Sequence, residues 1–338
     1  MTDTAARVLR NIPFARRADD LLLDLYLPPR PGPVPVVLWL HGGGWFTGDR
    51  TLAPDLSARA AATGFAYASV EYRLSAEAVF PAQLHDVRAA VRFLRARAAD
   101  YGLDPDLVGA WGASAGGHLA ALAGLTGHAT ALPGEDDGGA APSAVVPCGA
   151  ASSAVQAVAE AYGPADLAAT VRDAVAAAQA RGDTHADGRG TPEARLIGAL
   201  PEEAPRLAAA ASPLAHVHTG APPFQIAHGT ADPLVGHDQS VALHRALAAA
   251  GVESELYLLH GYKHGFLNPG GRLDVDLAAV MDDGRLDAEV GAVAERFGGG
   301  PAHGPTPARF GFETVDAFFH RHLGRGGTAS GSPHRGAA

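Results

Sequence analysis

Residues 107–125 read LVGAWGASAGGHLAALAGL. Leu107 to Trp111 is a short apolar run of the length of a buried strand, and Ala115 to Leu125 is a longer apolar stretch of helical length. Between them stands Gly112-Ala113-Ser114-Ala115-Gly116. A Gly-x-Ser-x-Gly pattern alone is a weak signal. Placed between strand and helix, it predicts a tight elbow that holds the serine hydroxyl exposed on strained backbone. The flanking glycines let two backbones pass without Cβ clashes. The helix N-terminus turns free N–H groups and the positive dipole end toward the serine, which suits a developing oxyanion.

Outward from this elbow, apolar runs alternate with helical stretches. Asp20–Leu27, Val34–Leu40, Phe65–Val70, Val155–Tyr162, Pro223–His228 and Glu253–Leu259 read as strands. Leu84–Ala96, Ser240–Ala250 and Phe312–Leu323 read as helices. Continuous apolar strands separated by helices predict an α/β fold, a mostly parallel central sheet covered on both faces. One domain is expected over residues 1–323. Two segments exceed a minimal repeat: an Ala-rich helical insertion at Gly163–Val217, and Asn268–Arg309, where one amphipathic helix is expected to carry Leu286, Val290, Val293 and Phe297. Residues 324–338 have no apolar anchor and read as a disordered tail.

A second chemical signal follows the strand VPVVLWL: His41-Gly42-Gly43-Gly44-Trp45. Consecutive glycines expose backbone N–H groups with no side chain in the way, so a carbonyl can approach within hydrogen-bond distance. The expected oxyanion donors are the N–H groups of Gly43, Gly44 and Ala115. A nucleophilic serine needs a base, and the base needs an orienting carboxylate; at such an elbow the chain order is Ser, then Asp or Glu, then His. Asp232 follows the strand PFQIAH, and His264 follows the next strand, on the neighbouring loop. Strand C-terminal ends are where open α/β sheets place their sites. The rivals are His260, which ends its strand, and Asp238, which suits the opening turn of a helix. Trp45, Phe46, Tyr162 and Phe266 are candidates for an apolar substrate pocket. His118 reads as packed, the His320–His322 run as surface, and Tyr72-Arg73 as support for the site loop.

Composition narrows the classes. The 338 residues carry 26 basic and 36 acidic side chains, a net charge of −10. That balance opposes binding to nucleic acid and to anionic membranes. The single cysteine, Cys148, allows neither an intramolecular disulfide nor a Cys-based zinc site. The opening MTDTAARVLRNIPFARR has no apolar signal core, and Val34–Leu40 is too short to span a bilayer. The expectation is a soluble, cytoplasmic protein.

HGGGW (41–45), GASAGGHLAAL (112–122), HGTADPLV (228–235) and GYKHGF (261–266), in this order, resemble α/β-hydrolase-fold serine esterases. In particular they resemble bacterial carboxylesterases near the hormone-sensitive-lipase group and the feruloyl/acetyl-xylan-esterase-like proteins. Glu71-Tyr72-Arg73-Leu74, Phe80-Pro81-Ala82-Gln83, Tyr162-Gly163-Pro164 and Glu193-Ala194-Arg195-Leu196-Ile197-Gly198 extend the resemblance. It implies hydrolysis of small or aryl esters without a cofactor or metal. The implied site is a Ser114, Asp232 and His264 triad, with Gly43, Gly44 and Ala115 as the oxyanion hole. It also implies a small-molecule ester as partner. The closing helix and the 268–309 segment are candidate surfaces for a homodimer. Two features depart from the pattern. Such enzymes go almost directly from the catalytic histidine to the last helix, whereas here Asn268–Arg309 intervenes. The Gly163–Val217 stretch is also long, and it follows the strand position where this fold carries its lid. The other readings are an amide or formamide hydrolase of the arylformamidase type, an oligopeptidase-like activity, and a non-catalytic ligand receptor.

Overall fold

The computed structural model describes residues 5–135, 151–271, 279–298 and 304–324. Cys148 and all but Gly324 of the expected tail lie outside the described residues. Among the described residues ten strands form one sheet: β1 (Arg7–Arg16), β2 (Asp20–Leu27), β3 (Val34–Leu40), β4 (Ala66–Val70), β5 (Leu103–Ala113), β6 (Ala157–Ala161), β7 (Phe224–Gly229), β8 (Ser254–Leu259), β9 (Ala292–Phe297) and β10 (Thr306–Phe310). Their order is β1-β2-β4-β3-β5-β6-β7-β8-β9-β10. From β4 through β8 all neighbours are parallel; β1, β2, β9 and β10 pair antiparallel at the two ends.

β3 shows why helices must cover both faces. Every residue in it is buried, yet successive side chains point oppositely. Val34, Val36, Leu38 and Leu40 enter one apolar cluster, whereas Val37 and Trp39 enter the other. The helices up to the elbow are α1 (Leu56–Thr63), α2 (Ala82–Ala96), α3 (Ala98–Tyr101) and α4 (Ala115–Thr126). Leu84, Val87 and Val91 of α2 pack with Leu119 and Leu122 of α4 in the first cluster. Leu56 and Ala60 of α1 belong to the second. α4 is buried all round, as its apolar sequence requires.

The Gly163–Val217 stretch is helical, as its composition predicts: α5 (Leu167–Ala180), α6 (Pro192–Ile197), α7 (Pro205–Ala210) and a 3₁₀ turn at Pro213–His216. The remaining helices among the described residues are α8 (Asp238–Ala249), α9 (Arg285–Ala288) and α10 (Phe312–Leu323). α10 closes the second face with Val315, Phe318, Phe319 and Leu323. Among the described residues, no helix is long and apolar enough to cross a membrane.

One expectation needs correction, and one strand was not foreseen. The amphipathic helix expected to carry Leu286, Val290, Val293 and Phe297 is instead the single turn α9 followed by strand β9. Gly291, at φ +73°, ends any helical path. The chain then pairs with the free edge of β8, satisfying a row of backbone groups that the helical spacing would have left open. Ala292 and Ala294 face inward, and Val290 and Val293 are exposed. The unforeseen strand is β1, which composition hides. Three arginines and Pro13 interrupt its apolar residues, and irregularities between Leu9 and Ile12 and between Pro13 and Ala15 break the alternation.

Candidate active site

Strand β5 runs into α4 at Ser114, whose φ of +55° and ψ of −122° lie in a region that costs a non-glycine residue energy. The turn is possible because Gly112 and Gly116 lack side chains. A Cβ on Gly116 would lie 1.9 Å from the Leu40 carbonyl oxygen, and one on Gly112 would lie 2.2 Å from the Gly116 oxygen. Two main-chain hydrogen bonds hold the elbow, Ser114 N–H to the Ala161 carbonyl at 2.8 Å and His118 N–H to the Ser114 carbonyl at 2.9 Å.

The structure brings Ser114, His264 and Asp232 together from three separate loops. Ser114 Oγ lies 2.8 Å from His264 Nε2, and His264 Nδ1 lies 2.6 Å from Asp232 Oδ2. A carboxylate only accepts, so Nδ1 carries the hydrogen and the Nε2 lone pair receives the serine hydroxyl. Both side chains behind the serine are shielded, with 6% of His264 and 0% of Asp232 exposed. Burial pushes the Asp232 carboxyl up. The charge of His264, with hydrogen bonds from His228 and His264, outweighs it and holds Asp232 well below the usual carboxylate range. Asp232 Oδ1 also accepts the N–H groups of Leu234 and Val235 at 2.9 and 3.0 Å.

Opposite the elbow lies the loop after β3. Gly43 and Gly44 have φ of +108° and +58°. A Cβ on Gly42 would sit 3.4 Å from Ser114 Cβ, so the glycine loop rests against the serine. Among the described residues, the N–H groups of Gly43, Gly44 and Ala115 donate to no other group of the chain. The loop is anchored from behind. Tyr72 stacks on the His41 ring and donates its hydroxyl hydrogen to the His41 carbonyl at 2.8 Å, and the adjacent Arg73 grips Asp86 with two 2.8 Å bonds.

A cavity of about 380 Å³ opens over Ser114. Trp45, Phe46 and Tyr162 line it. Phe266 does not. It is buried among Tyr162, Tyr262 and Phe310, because the chain turns inward after His264 and an apolar ring there gains more from the core than from the cavity. Tyr162 also supports His264, with ring centroids 4.6 Å apart, and its hydroxyl oxygen accepts the Leu267 N–H. The helical insertion walls the cavity through Thr170, Ala174 and Arg181, and through Glu193 of α6. Burial raises the Glu193 carboxyl, against a lowering pull from His264.

The rivals stand elsewhere. His260 is exposed, with Nε2 3.8 Å from Glu295. Asp238 opens α8. His118 is buried, spends its Nε2–H on the Ala211 carbonyl at 2.6 Å, and is pushed down to about 4 by burial. His320 packs on Phe65, and His322 approaches Glu253.

Sequence reasoning missed His228, Ser240 and Glu160, a buried chain of polar groups behind Asp232. It also missed the support beneath His264. After the His264 loop the chain returns as a bridge between Met281 and His264, and Met281 lines the cavity. Asp282 Oδ2 accepts the Lys263 N–H at 2.7 Å. The one available signal was the HG…D spacing of His228 and Asp232, which puts both at the end of one strand.

Residues 23–247 match the BD-FAE family. Esterase LipQ of Mycobacterium tuberculosis is 34% identical over 294 residues, 85% of this chain and 61% of that protein. Esterase LipC of the same organism is 31% identical over 260 residues, 72% of this chain and 57% of that protein. The chain thus spans about three-fifths of the length of these curated relatives. Among solved structures, a truncated carbohydrate esterase from gut microbiota superposes with a TM-score of 0.64 at 31% identity, covering 78% of this chain and 91% of that one. Esterase Est2 of Thermogutta terrifontis superposes with a TM-score of 0.57 at 26% identity, covering 78% and 85%. The sheet order, the elbow and these likenesses together identify the α/β-hydrolase fold, and the chain belongs to the BD-FAE family.

Proposed function

We propose that this protein hydrolyses carboxylic esters of small or medium acyl groups, or aryl esters, through an acyl-enzyme on Ser114. The observation that carries the reading is the continuous hydrogen-bond line from Ser114 Oγ through His264 to Asp232, beside unpaired N–H groups. Ser114 Oγ attacks the ester carbonyl as His264 Nε2 takes its proton. The carbonyl oxygen becomes an oxyanion, held by the N–H groups of Gly43, Gly44 and Ala115. Asp232 keeps the imidazole in the required tautomer and stabilises the imidazolium. His264 then gives the proton to the leaving alcohol, the C–O bond breaks, and water hydrolyses the acyl-enzyme by the same steps. The apolar side chains around the cavity, Phe46, Ala174, Leu234 and Met281 among them, favour an uncharged acyl or aryl group.

The test is a plate of p-nitrophenyl esters from acetate to laurate, with methyl ferulate and N-formylkynurenine, read for the wild type and Ser114→Ala. Ester turnover that vanishes in the variant is the expected result. Turnover of the formamide alone would replace this reading with an arylformamidase. No turnover together with no labelling by a fluorophosphonate probe would make the chain a ligand receptor.

A further inference from the structure

Asp232 has a second histidine. His228, at the end of β7, is fully buried, with Nε2 3.3 Å from Asp232 Oδ2 and 2.9 Å from the Val235 carbonyl oxygen. Both neighbours are acceptors, so Nε2 must carry a hydrogen. On the other side of the ring, Nδ1 lies 2.7 Å from Ser240 Oγ of α8, and that oxygen lies 3.3 Å from Glu160 Oε1 of β6. Glu160 Oε2 accepts the Gly163 N–H at 3.0 Å. Ser240 is fully buried and Glu160 is 3% exposed.

The hydrogens can be counted. The gap between Nδ1 and Oγ needs one, and the gap between Oγ and Oε1 needs another; the serine hydroxyl supplies only one. With a proton on Glu160 Oε1, every gap is filled: Glu160 donates to Ser240, Ser240 to Nδ1, and the neutral ring donates Nε2–H to Asp232. The same extra proton on the ring would also fill every gap, but an imidazolium beside an ionised glutamate puts two more charges into a site closed to water, so the neutral acid and neutral ring are the cheaper form. With Glu160 ionised and no proton added, glutamate and Nδ1 compete for the single hydroxyl hydrogen. If the ring hydrogen then moves to Nδ1, the Nε2 lone pair faces two oxygens and Asp232 loses a donor, a costly arrangement in a dry site.

We propose that Glu160, Ser240 and His228 are positioning residues, in which protonated Glu160 fixes the Nε2–H tautomer of His228 through Ser240 and so gives Asp232 Oδ2 its second donor beside His264. This rests on the reading of Ser114, His264 and Asp232 as the reacting triad. The surroundings agree with an acid form. Burial pushes the Glu160 carboxyl up to about 7, against lowering contributions from the Gly163 N–H, His228 and Ser240. The titratable groups facing it are His228 from β7 and the neighbouring Tyr162 phenol. α8 offers the Ser240 hydroxyl, and α4 offers Gly117, where a Cβ would lie 3.1 Å from Oε2.

Glu160→Gln is the fixed replica of the acid: its amide oxygen can accept from Gly163 and its NH₂ can donate to Ser240. The wild-type kcat/KM profile is expected to bend downward above neutrality. In Glu160→Gln that bend should move up by at least about one pH unit. Ser240→Ala should lower kcat by about 3–10-fold with KM nearly constant, and adding Glu160→Gln to it should change nothing further. Superimposable profiles for wild type and Glu160→Gln would overturn the proposal, as would additive effects in the double variant. A second measurement needs no turnover and no change at Glu160. The imidazole nitrogen resonances of His228, followed in Ser114→Ala protein from pH 6 to 9, should leave the Nε2–H tautomer pattern as Glu160 ionises. A pattern constant across that range would also overturn it. A failed triad would show separately, as ester turnover surviving in Ser114→Ala.

Discussion

The main-chain N–H of Asp282 donates to the His264 carbonyl at 2.7 Å, so the residue that lies between Ser114 and Asp232 is splinted by a segment that follows it in the chain. The Asp282 carboxylate also accepts from Lys263 N–H at 2.7 Å and pairs with Arg285 at 2.9 Å. The segment between His264 and the last helix therefore does two things. It holds the histidine loop, and it extends the sheet through β9 and β10.

Asp282→Ala removes both carboxylate contacts and leaves the cavity walls in place. Looser placement of His264 should lower kcat by about 3–10-fold and leave KM within about twofold, because positioning errors act on the transition state. Steady-state kinetics with p-nitrophenyl butyrate would check this. A raised KM at constant kcat would mean that the segment serves binding instead.

Ser114→Ala should lower kcat by at least about 10³-fold, since among the described residues no other hydroxyl is in line with His264 Nε2. Its far-UV circular dichroism and melting temperature should stay at or above those of the wild type, because alanine removes no packing from the elbow. Activity persisting in the folded variant would sink the assignment of the nucleophile.

Asp232→Asn should lower kcat by about 10⁴-fold, through loss of the correct imidazole tautomer. Stability gives an independent check. Asp232 is held below its ordinary value, so its contribution is present above the unfolded carboxylate pKa of about 3.9 and is lost as pH falls toward the folded value. Melting curves from pH 6 to pH 3 should therefore fall more steeply for the wild type than for Asp232→Asn.

Glu160 should behave in the opposite sense. Its folded value near 7 lies above the unfolded value of about 4.3, so the folded state holds the extra proton between them. Stability then declines as pH rises through that window and is flat above it. Glu160→Gln has no such decline, so its melting temperature relative to the wild type should rise by a few degrees between pH 5 and pH 8. Parallel curves would show that the acid is not perturbed by burial.

Gly43→Ala places a Cβ 2.2 Å from the Thr47 carbonyl oxygen on a backbone at φ +108°. The loop has to move to relieve that contact, and its N–H groups move with it. The expected loss in kcat is about 10²–10³-fold, the size associated with one oxyanion donor, with far smaller change in melting temperature than in rate. Rates measured beside thermal melts would separate the two.

Features set by neighbours in the chain were legible from composition and spacing. The unbroken apolar run of β3 announced a sheet buried on both faces, because side chains on a strand point alternately whatever lies beyond them. The elbow at Ser114 was equally local: a strand, two glycines and a helix within about twenty residues leave the backbone few options. Asp232 and His264 could be singled out as candidates because each follows a recognisable strand. Other features depended on which elements pack together. Ser240 meets Glu160 across 80 positions of sequence, and His228 looks, by sequence, like any histidine ending a strand. Phe266 and the strand β9 were misread for the same reason. An apolar residue or a short apolar run has several favourable burials open to it. The competition between them is settled by whichever core or sheet edge the folded chain brings alongside, which no local spacing encodes.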